Sequence, residues 1–161
     1  MTAVFLGLGA NLGDRAANLA AAREALAPAV RVRGASRLYE SEPVGLRAQP
    51  LFLNQVVEGE TELRPVALLS YLKEIERRMG REPGPRYGPR PIDLDLLFFG
   101  DWVMATSELT IPHPRFRERS FVLAPLFEIA PDLRDPLTGE RIGDLWREVA
   151  PVLARSWVYV G

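Results

Sequence analysis

Two aspartates spaced two residues apart, Asp93 and Asp95, stand at the mouth of an apolar run in Gly88-Pro89-Arg90-Pro91-Ile92-Asp93-Leu94-Asp95-Leu96-Leu97-Phe98-Phe99-Gly100. A loop punctuated by Pro and Gly that leads into a short apolar run predicts a buried strand. Side chains on a strand alternate between faces, so Asp93 and Asp95 project from one side. Leu97 and Phe99 are expected to continue that face, with Leu94, Leu96 and Phe98 on the other. Carboxylates held so close repel, and burying one unpaired is costly. A hard divalent cation relieves both problems, because Mg2+ takes one or two carboxylates together with substrate phosphates. Arg90, just ahead of the pair, carries a planar fork suited to anionic oxygens. Ordinary ion pairs with nearby arginines are the competing explanation of a bare Asp-x-Asp, so the rest of the chain must decide.

Other residues of suitable chemistry gather around two loops, Glu40 to Pro50 and Arg81 to Pro91, each long enough to act as a lid. Arg81, Arg86, Arg90, His113, Arg115 and Arg119 can hold a polyphosphate. Phe52, Asn54 and Phe121 can hold a flat heteroaromatic ring by stacking and edge hydrogen bonds. Each has a plainer explanation: a strand Phe is usually core, a lone His is usually structural, and Arg115 and Arg117 read as solvated surface. Arg119, directly before an apolar run, is better placed to aim at a ligand. The chain has no G-x-x-x-x-G-K-S/T loop, so a nucleotide has to be held by side chains and metal. Gly7 to Gly13 approaches the dinucleotide pattern G-x-G-x-x-G, but Leu12 occupies the third glycine position. That stretch reads instead as a tight strand-to-helix turn capped by Asp14.

The elements that must position these groups follow from periodicity. Ala3 to Leu8 reads as a strand. Leu12, Leu19, Ala22 and Leu26 share one helical face. Val30 to Tyr39, with Val30, Val32 and Leu38 inward, and Leu51 to Val57 read as strands. In the second, Leu51, Leu53 and Gln55 face away from Phe52, Asn54 and Val56. Pro65 to Met79 is the strongest helix, with Leu68, Leu72, Ile75 and Met79 on one stripe and Gly80 at its end. Beyond the aspartate strand, Phe121 to Ile129 reads as a helix, Ile142 to Leu153 as an amphipathic one, and Trp157 to Val160 as a last strand. Strand–helix–strand–strand–helix–strand is the order of the split βαβ, or ferredoxin-like, α+β fold. It predicts a largely antiparallel sheet with two helices on one face and the C-terminal helices on the other.

At 161 residues and 47% hydrophobic content, one domain over 1–161 with a proper core is expected. A net charge of -1 and a pI near 5.9 argue against a nonspecific nucleic-acid binder. Without cysteine there is no disulfide framework and no thiolate chemistry. No run approaches membrane-spanning length and no signal-peptide pattern opens the chain, so a cytoplasmic protein with no membrane partner is expected.

Taken together, these residues resemble the 6-hydroxymethyl-7,8-dihydropterin pyrophosphokinase family nearly end to end. The resemblance is carried by Leu8-Gly9-Ala10-Asn11-Leu12-Gly13, Leu53-Asn54, Tyr87-Gly88-Pro89-Arg90-Pro91-Ile92-Asp93-Leu94-Asp95, and Pro112-His113 with Arg119 and Phe121. It implies transfer of the pyrophosphoryl group of ATP to the pterin hydroxymethyl oxygen with release of AMP, a step of folate biosynthesis. It further implies that Asp93 and Asp95 bind two Mg2+ ions and that Arg81 and Arg90 are the catalytic arginines. Glu76, Thr110, His113 and Arg119 join those arginines along ATP. The pterin is expected between Phe52 and Phe121, with Ser41, Asn54 and the backbone near Val44 reading its edge. Phe52 stands where Tyr is common in the family, Tyr87 where Trp is, and Pro114 where Tyr often follows the His. A monomer acting on small molecules is expected. Two other classes remain open: a ligand sensor that makes no AMP and does not need paired aspartates, and an RNA-binding module, which needs aromatic strands and a basic sheet face.

Overall fold

The structure, a computed structural model, describes residues 1–43, 48–80, 89–153 and 157–159. In chain order the elements are β1 (Thr2–Ala10), α1 (Arg15–Leu26), β2 (Val30–Ala35), β3 (Tyr39–Ser41), β4 (Phe52–Thr61), α2 (Pro65–Arg78) and β5 (Asp93–Phe99). A short hairpin of β6 (Met104–Ala105) and β7 (Thr110–Ile111), a 3-10 turn at Phe116–Glu118, α3 (Ser120–Ile129), α4 (Ile142–Leu153) and β8 (Trp157–Tyr159) follow.

The main sheet runs β5-β1-β4-β3-β8, with β2 paired to β4 beyond β3, and every strand pair among the described residues is antiparallel. This is the expected ferredoxin-like α+β arrangement, in which the first and last strands of the split βαβ unit end up side by side. Alternation along β1 explains the two layers. Val4, Leu6, Leu8 and Ala10 pack with Leu19 and Leu26 of α1 and Leu68, Leu72 and Ile75 of α2. Phe5, on the other face, packs with Val56, Val122, Leu123 and Leu126 of α3, and Ile142 and Leu145 of α4.

Local chemistry sets the helix ends. Asp14 accepts the Ala17 N–H at 3.1 Å and caps α1. Pro65 opens α2, where its missing N–H costs nothing, and Gly80, at φ +89°, ends it in a conformation that disfavours a side chain.

Four expectations need correction. Gly7 and Gly9 lie inside β1, which stays paired through Ala10, so the turn is confined to the residues after it. Leu12 is 48% exposed, because the helix begins only at Arg15 and the helical phase does not reach back to it. The Val30 to Tyr39 stretch is two strands, and a register shift between Val32 and Gly34 leaves Val32 at the surface. The alternation of β5 breaks where Phe5 pairs with Phe98 but Leu6 pairs with Leu96. That bulge sends Leu97 and Phe98 both toward α3, and Phe99 toward α1 and α2. Val160 of the last predicted strand lies outside the described residues.

Candidate active site

Sheet register builds the floor of the site. On β1, Gly9 lies opposite Asn54 of β4 on one side and Asp93 of β5 on the other. One row further, Gly7 lies between Val56 and Asp95. Neighbouring strands are ~4.8 Å apart, so the Asn54 and Asp93 backbones stand ~10 Å apart with a bare glycine between them. Asn54 and Phe52 lie close over this glycine. A Cβ on Gly9 would come within 3.3 Å of Asn54 Oδ1 and 3.6 Å of Phe52 Cδ1. Sequence reasoning missed these two glycines as floor residues; the signal was their period-two spacing within an apolar strand.

Above this floor is a cleft of about 910 Å³. It collects Ser41, Phe52, Asn54 and Phe121 at one end, and Glu76, Arg90, Asp93, Asp95, Thr110, His113 and Arg119 around the other. Eleven of the residues singled out from sequence therefore share one cavity. Val44, Arg81, Arg86 and Tyr87 lie outside the described residues, as does much of both Pro- and Gly-rich loops. Leu69, Lys73, Arg77, Thr106, Ser107 and Glu108 also line the cleft and were not foreseen as a group, since only folding brings α2 and the β6–β7 hairpin to the β5 edge.

At the aromatic end, Asn54 is 5% exposed and its orientation is fixed. Its Nδ2 donates to the Tyr39 carbonyl at 3.1 Å and to Ser41 Oγ at 2.8 Å. A carbonyl can only accept, so the amide nitrogen must face Tyr39, and Oδ1 faces Gly9 and the cleft. The Arg119 guanidinium lies 5.6 Å from the centre of the Phe121 ring, within cation–π range.

At the acidic end, Arg90 Nη1 lies 3.4 Å from Asp93 Oδ1, and both side chains are half-buried. Glu76, buried on α2, accepts the Leu94 N–H at 2.8 Å, so its carboxylate grips the backbone between the two aspartates. His113 is tethered by its own N–H to the Leu97 carbonyl at 2.9 Å. Its Nδ1 accepts the Arg115 N–H at 3.1 Å, which puts the proton of the neutral ring on Nε2. Burial first, then the Arg119 and Arg115 charges, lower its pKa to about 4 against the pull of Asp93, so the ring is neutral at pH 7. Arg117, expected as solvated surface, is instead ion-paired with Asp135, which is 1% exposed, through Nε at 2.7 Å.

The carboxylates fit Mg2+ better than a metal that needs a full protein cage. Among the described residues no group of three or more His, Cys, Asp or Glu side chains could enclose an ion. Two same-face carboxylates opening on a cleft with arginines would suit an ion shared with substrate phosphates.

The chain's sequence agrees with this assembly. Residues 5–131 match the family model of 7,8-dihydro-6-hydroxymethylpterin-pyrophosphokinase (HPPK). A mitochondrial folate synthesis bifunctional protein of Arabidopsis thaliana is 52% identical over 130 residues, which are 78% of this chain and 23% of that one. The 2-amino-4-hydroxy-6-hydroxymethyldihydropteridine pyrophosphokinase of Methylorubrum extorquens is 44% identical, over 94% of this chain and 96% of its own. That of Bacillus subtilis is 43% identical over 83% and 81%. The chain thus spans roughly a quarter of the bifunctional plant proteins and most of the bacterial ones. Among solved structures, wild-type Plasmodium falciparum HPPK-DHPS with pteroate superposes with a TM-score of 0.76 at 16% identity, covering 96% of this chain and 43% of that one. This chain belongs to the 7,8-dihydro-6-hydroxymethylpterin-pyrophosphokinase family.

Proposed function

We propose that the chain transfers the pyrophosphoryl group of ATP to the hydroxymethyl oxygen of 6-hydroxymethyl-7,8-dihydropterin. The observation that carries this reading is the row Asn54–Gly9–Asp93, which sets an amide suited to reading ring edges ~10 Å from a cleft-lining carboxylate across a glycine floor. The pterin stacks between Phe52 and Phe121, and Asn54 Oδ1 accepts from the ring's N–H edge while Ser41 holds the amide in place. Its hydroxymethyl arm then points along the glycine floor toward the acidic end. Val44 is proposed to add a backbone contact to the ring. Arg90, Arg119 and Arg81 hold the triphosphate, with Glu76 and Thr110 beside the nucleotide.

In the reaction the hydroxymethyl oxygen forms a bond to the β-phosphorus, the bond from that phosphorus to the α-phosphate oxygen breaks, AMP leaves, and the hydroxyl proton is released. Asp93 and Asp95 would hold Mg2+, two ions in our reading, which neutralises charge on the phosphate oxygens. His113, neutral with its proton on Nε2, serves as a hydrogen-bond donor to a phosphate oxygen and is no base in this form. The rest is positioning: an oriented pair in a cleft that excludes competing water needs no covalent intermediate. The chain acts as one domain, as a monomer in the cytoplasm; among the described residues no helix is long and apolar enough to cross a membrane.

The test is AMP formation from ATP with the pterin and Mg2+, omitting each in turn. AMP that requires both supports the reading. Pterin binding without AMP supports the sensor instead, and no binding overturns both.

A further inference from the structure

The strand-to-helix turn after β1 carries no atom into the cleft, yet it holds both sides of it. Asn11 is 1% exposed and every polar atom of its side chain is used. Its Nδ2 donates to Gln49 Oε1 at 2.7 Å and to the Pro50 carbonyl at 3.1 Å. Its Oδ1 accepts the Arg90 N–H at 2.9 Å, and its own N–H donates to the Arg90 carbonyl at 3.2 Å. Four residues on, Arg15 donates to the Leu51 carbonyl at 3.0 Å and to Glu40 at 2.9 Å. The residues gripped on one side run directly into Phe52, the wall of the aromatic end. On the other side the grip is on the main chain of Arg90, whose guanidinium faces Asp93.

We infer that Asn11 is a positioning residue for both substrates, with separable arms: its NH2 group sets the pterin wall through Gln49 and Pro50, and its oxygen sets the phosphate arginine through the Arg90 N–H. The two arms are geometrically distinct atoms on a planar, buried amide, so moving one segment without the other breaks a bond to a side chain that is itself 1% exposed. The role rests on the pterin and ATP assignments above, although the bonds themselves do not.

The arms are separated by variants of the full chain, read by steady-state kinetics, by binding of the pterin alone and of α,β-methylene ATP alone, and by thermal melting. Asn11→Ala removes both arms, two side-chain hydrogen bonds on the pterin side and one on the nucleotide side, and is expected to raise both KM values and both dissociation constants about tenfold. Asn11→Asp keeps an acceptor for Arg90 N–H and loses the donor to Pro50. It is expected to return the ATP values to within about threefold of wild type while the pterin values stay raised, a split that general loosening does not produce. Gln49→Ala leaves Asn11 and its packing intact and decides the matter if Asn11→Ala does not fold. A raised pterin constant at an unchanged nucleotide constant supports the inference. Constants like wild type in Asn11→Ala, or in Gln49→Ala where Asn11→Ala does not fold, overturn it, as do equal shifts for both ligands in Asn11→Asp. Wild type that binds both ligands but makes no AMP removes the proposed reaction and leaves the binding split to judge Asn11.

Discussion

Replacing Gly9 by alanine adds one methyl group to the floor between the amide reader and the carboxylates. The new Cβ would meet Asn54 Oδ1 at 3.3 Å and Phe52 Cδ1 at 3.6 Å. Asn54 cannot retreat, because its Nδ2 is already committed to Tyr39 and Ser41. The methyl therefore stays in the space that the ring edge would need in the proposed pose. Overpacking a fitted site by one methyl typically costs about 1–3 kcal/mol, which converts to roughly 5- to 150-fold weaker pterin binding. Folding is affected much less. Gly9 has no positive φ, and alanine in place of glycine gains about 0.4–1 kcal/mol from a less flexible unfolded chain, offsetting the tight contact. The melting temperature should therefore move by no more than about 3 °C. The assay is calorimetric titration with the pterin and, separately, with α,β-methylene ATP, whose proposed site lies beyond the carboxylates and should be unaltered. Pterin affinity within twofold of wild type would refute the floor assignment. Equal loss of both affinities with a large fall in melting temperature would refute the claim that the glycine serves the site and not the fold.

Gly59, on the same strand as Asn54, should behave in the opposite way. A Cβ there would lie 2.7 Å from both the Arg31 carbonyl oxygen and Val30 Cγ1. Gly59→Ala should cost about 1–3 kcal/mol, seen as a lower urea midpoint at constant m-value, with ligand affinities of the folded fraction unchanged. Asp95→Ala is expected to lower turnover by about 10²-fold or more, as for removal of one preorganised electrostatic element; near-normal turnover would sink the metal assignment. In the metal-free protein the His113 ring resonances should titrate with a midpoint of about 4, and a midpoint near 6.5 would contradict its burial. Because the native ring refuses a proton that the unfolded chain accepts, stability should decline as pH falls from about 6.5 toward 4, and His113→Gln should flatten that decline.

The aspartate strand was legible from its proline-rich entry and its short apolar run, and α2 from its clear period and its end at Gly80. The face of Phe52, Asn54 and Val56 was equally readable, since β4 keeps strict alternation. The bulge in β5 was not, because Leu96-Leu97-Phe98-Phe99 is apolar throughout and a slipped register leaves no polar residue to betray it. Gly7 and Gly9 looked like turn residues because glycine beside a capping Asp is the local signature of a turn; only the ladder to β4 and β5 reveals a strand. The Arg117–Asp135 pair was hidden by distance along the chain, as the loop carrying Asp135 reaches the 3-10 turn only after α3 has folded back.

The capping of β5 bears on solubility. As the outermost strand of its side of the sheet, β5 would present free amide and carbonyl groups to any extended chain it met, an invitation to aggregate. Two of those groups are already taken: the Leu94 N–H by the Glu76 carboxylate, and the Leu97 carbonyl by the His113 N–H. The bulge at Leu97 skews the ladder that an incoming strand would have to match. The contacts from α2 and His113 thereby deny this edge to other polypeptides. Removing the Glu76 carboxylate should thus expose a latent tendency to self-associate during refolding, apart from any effect on chemistry.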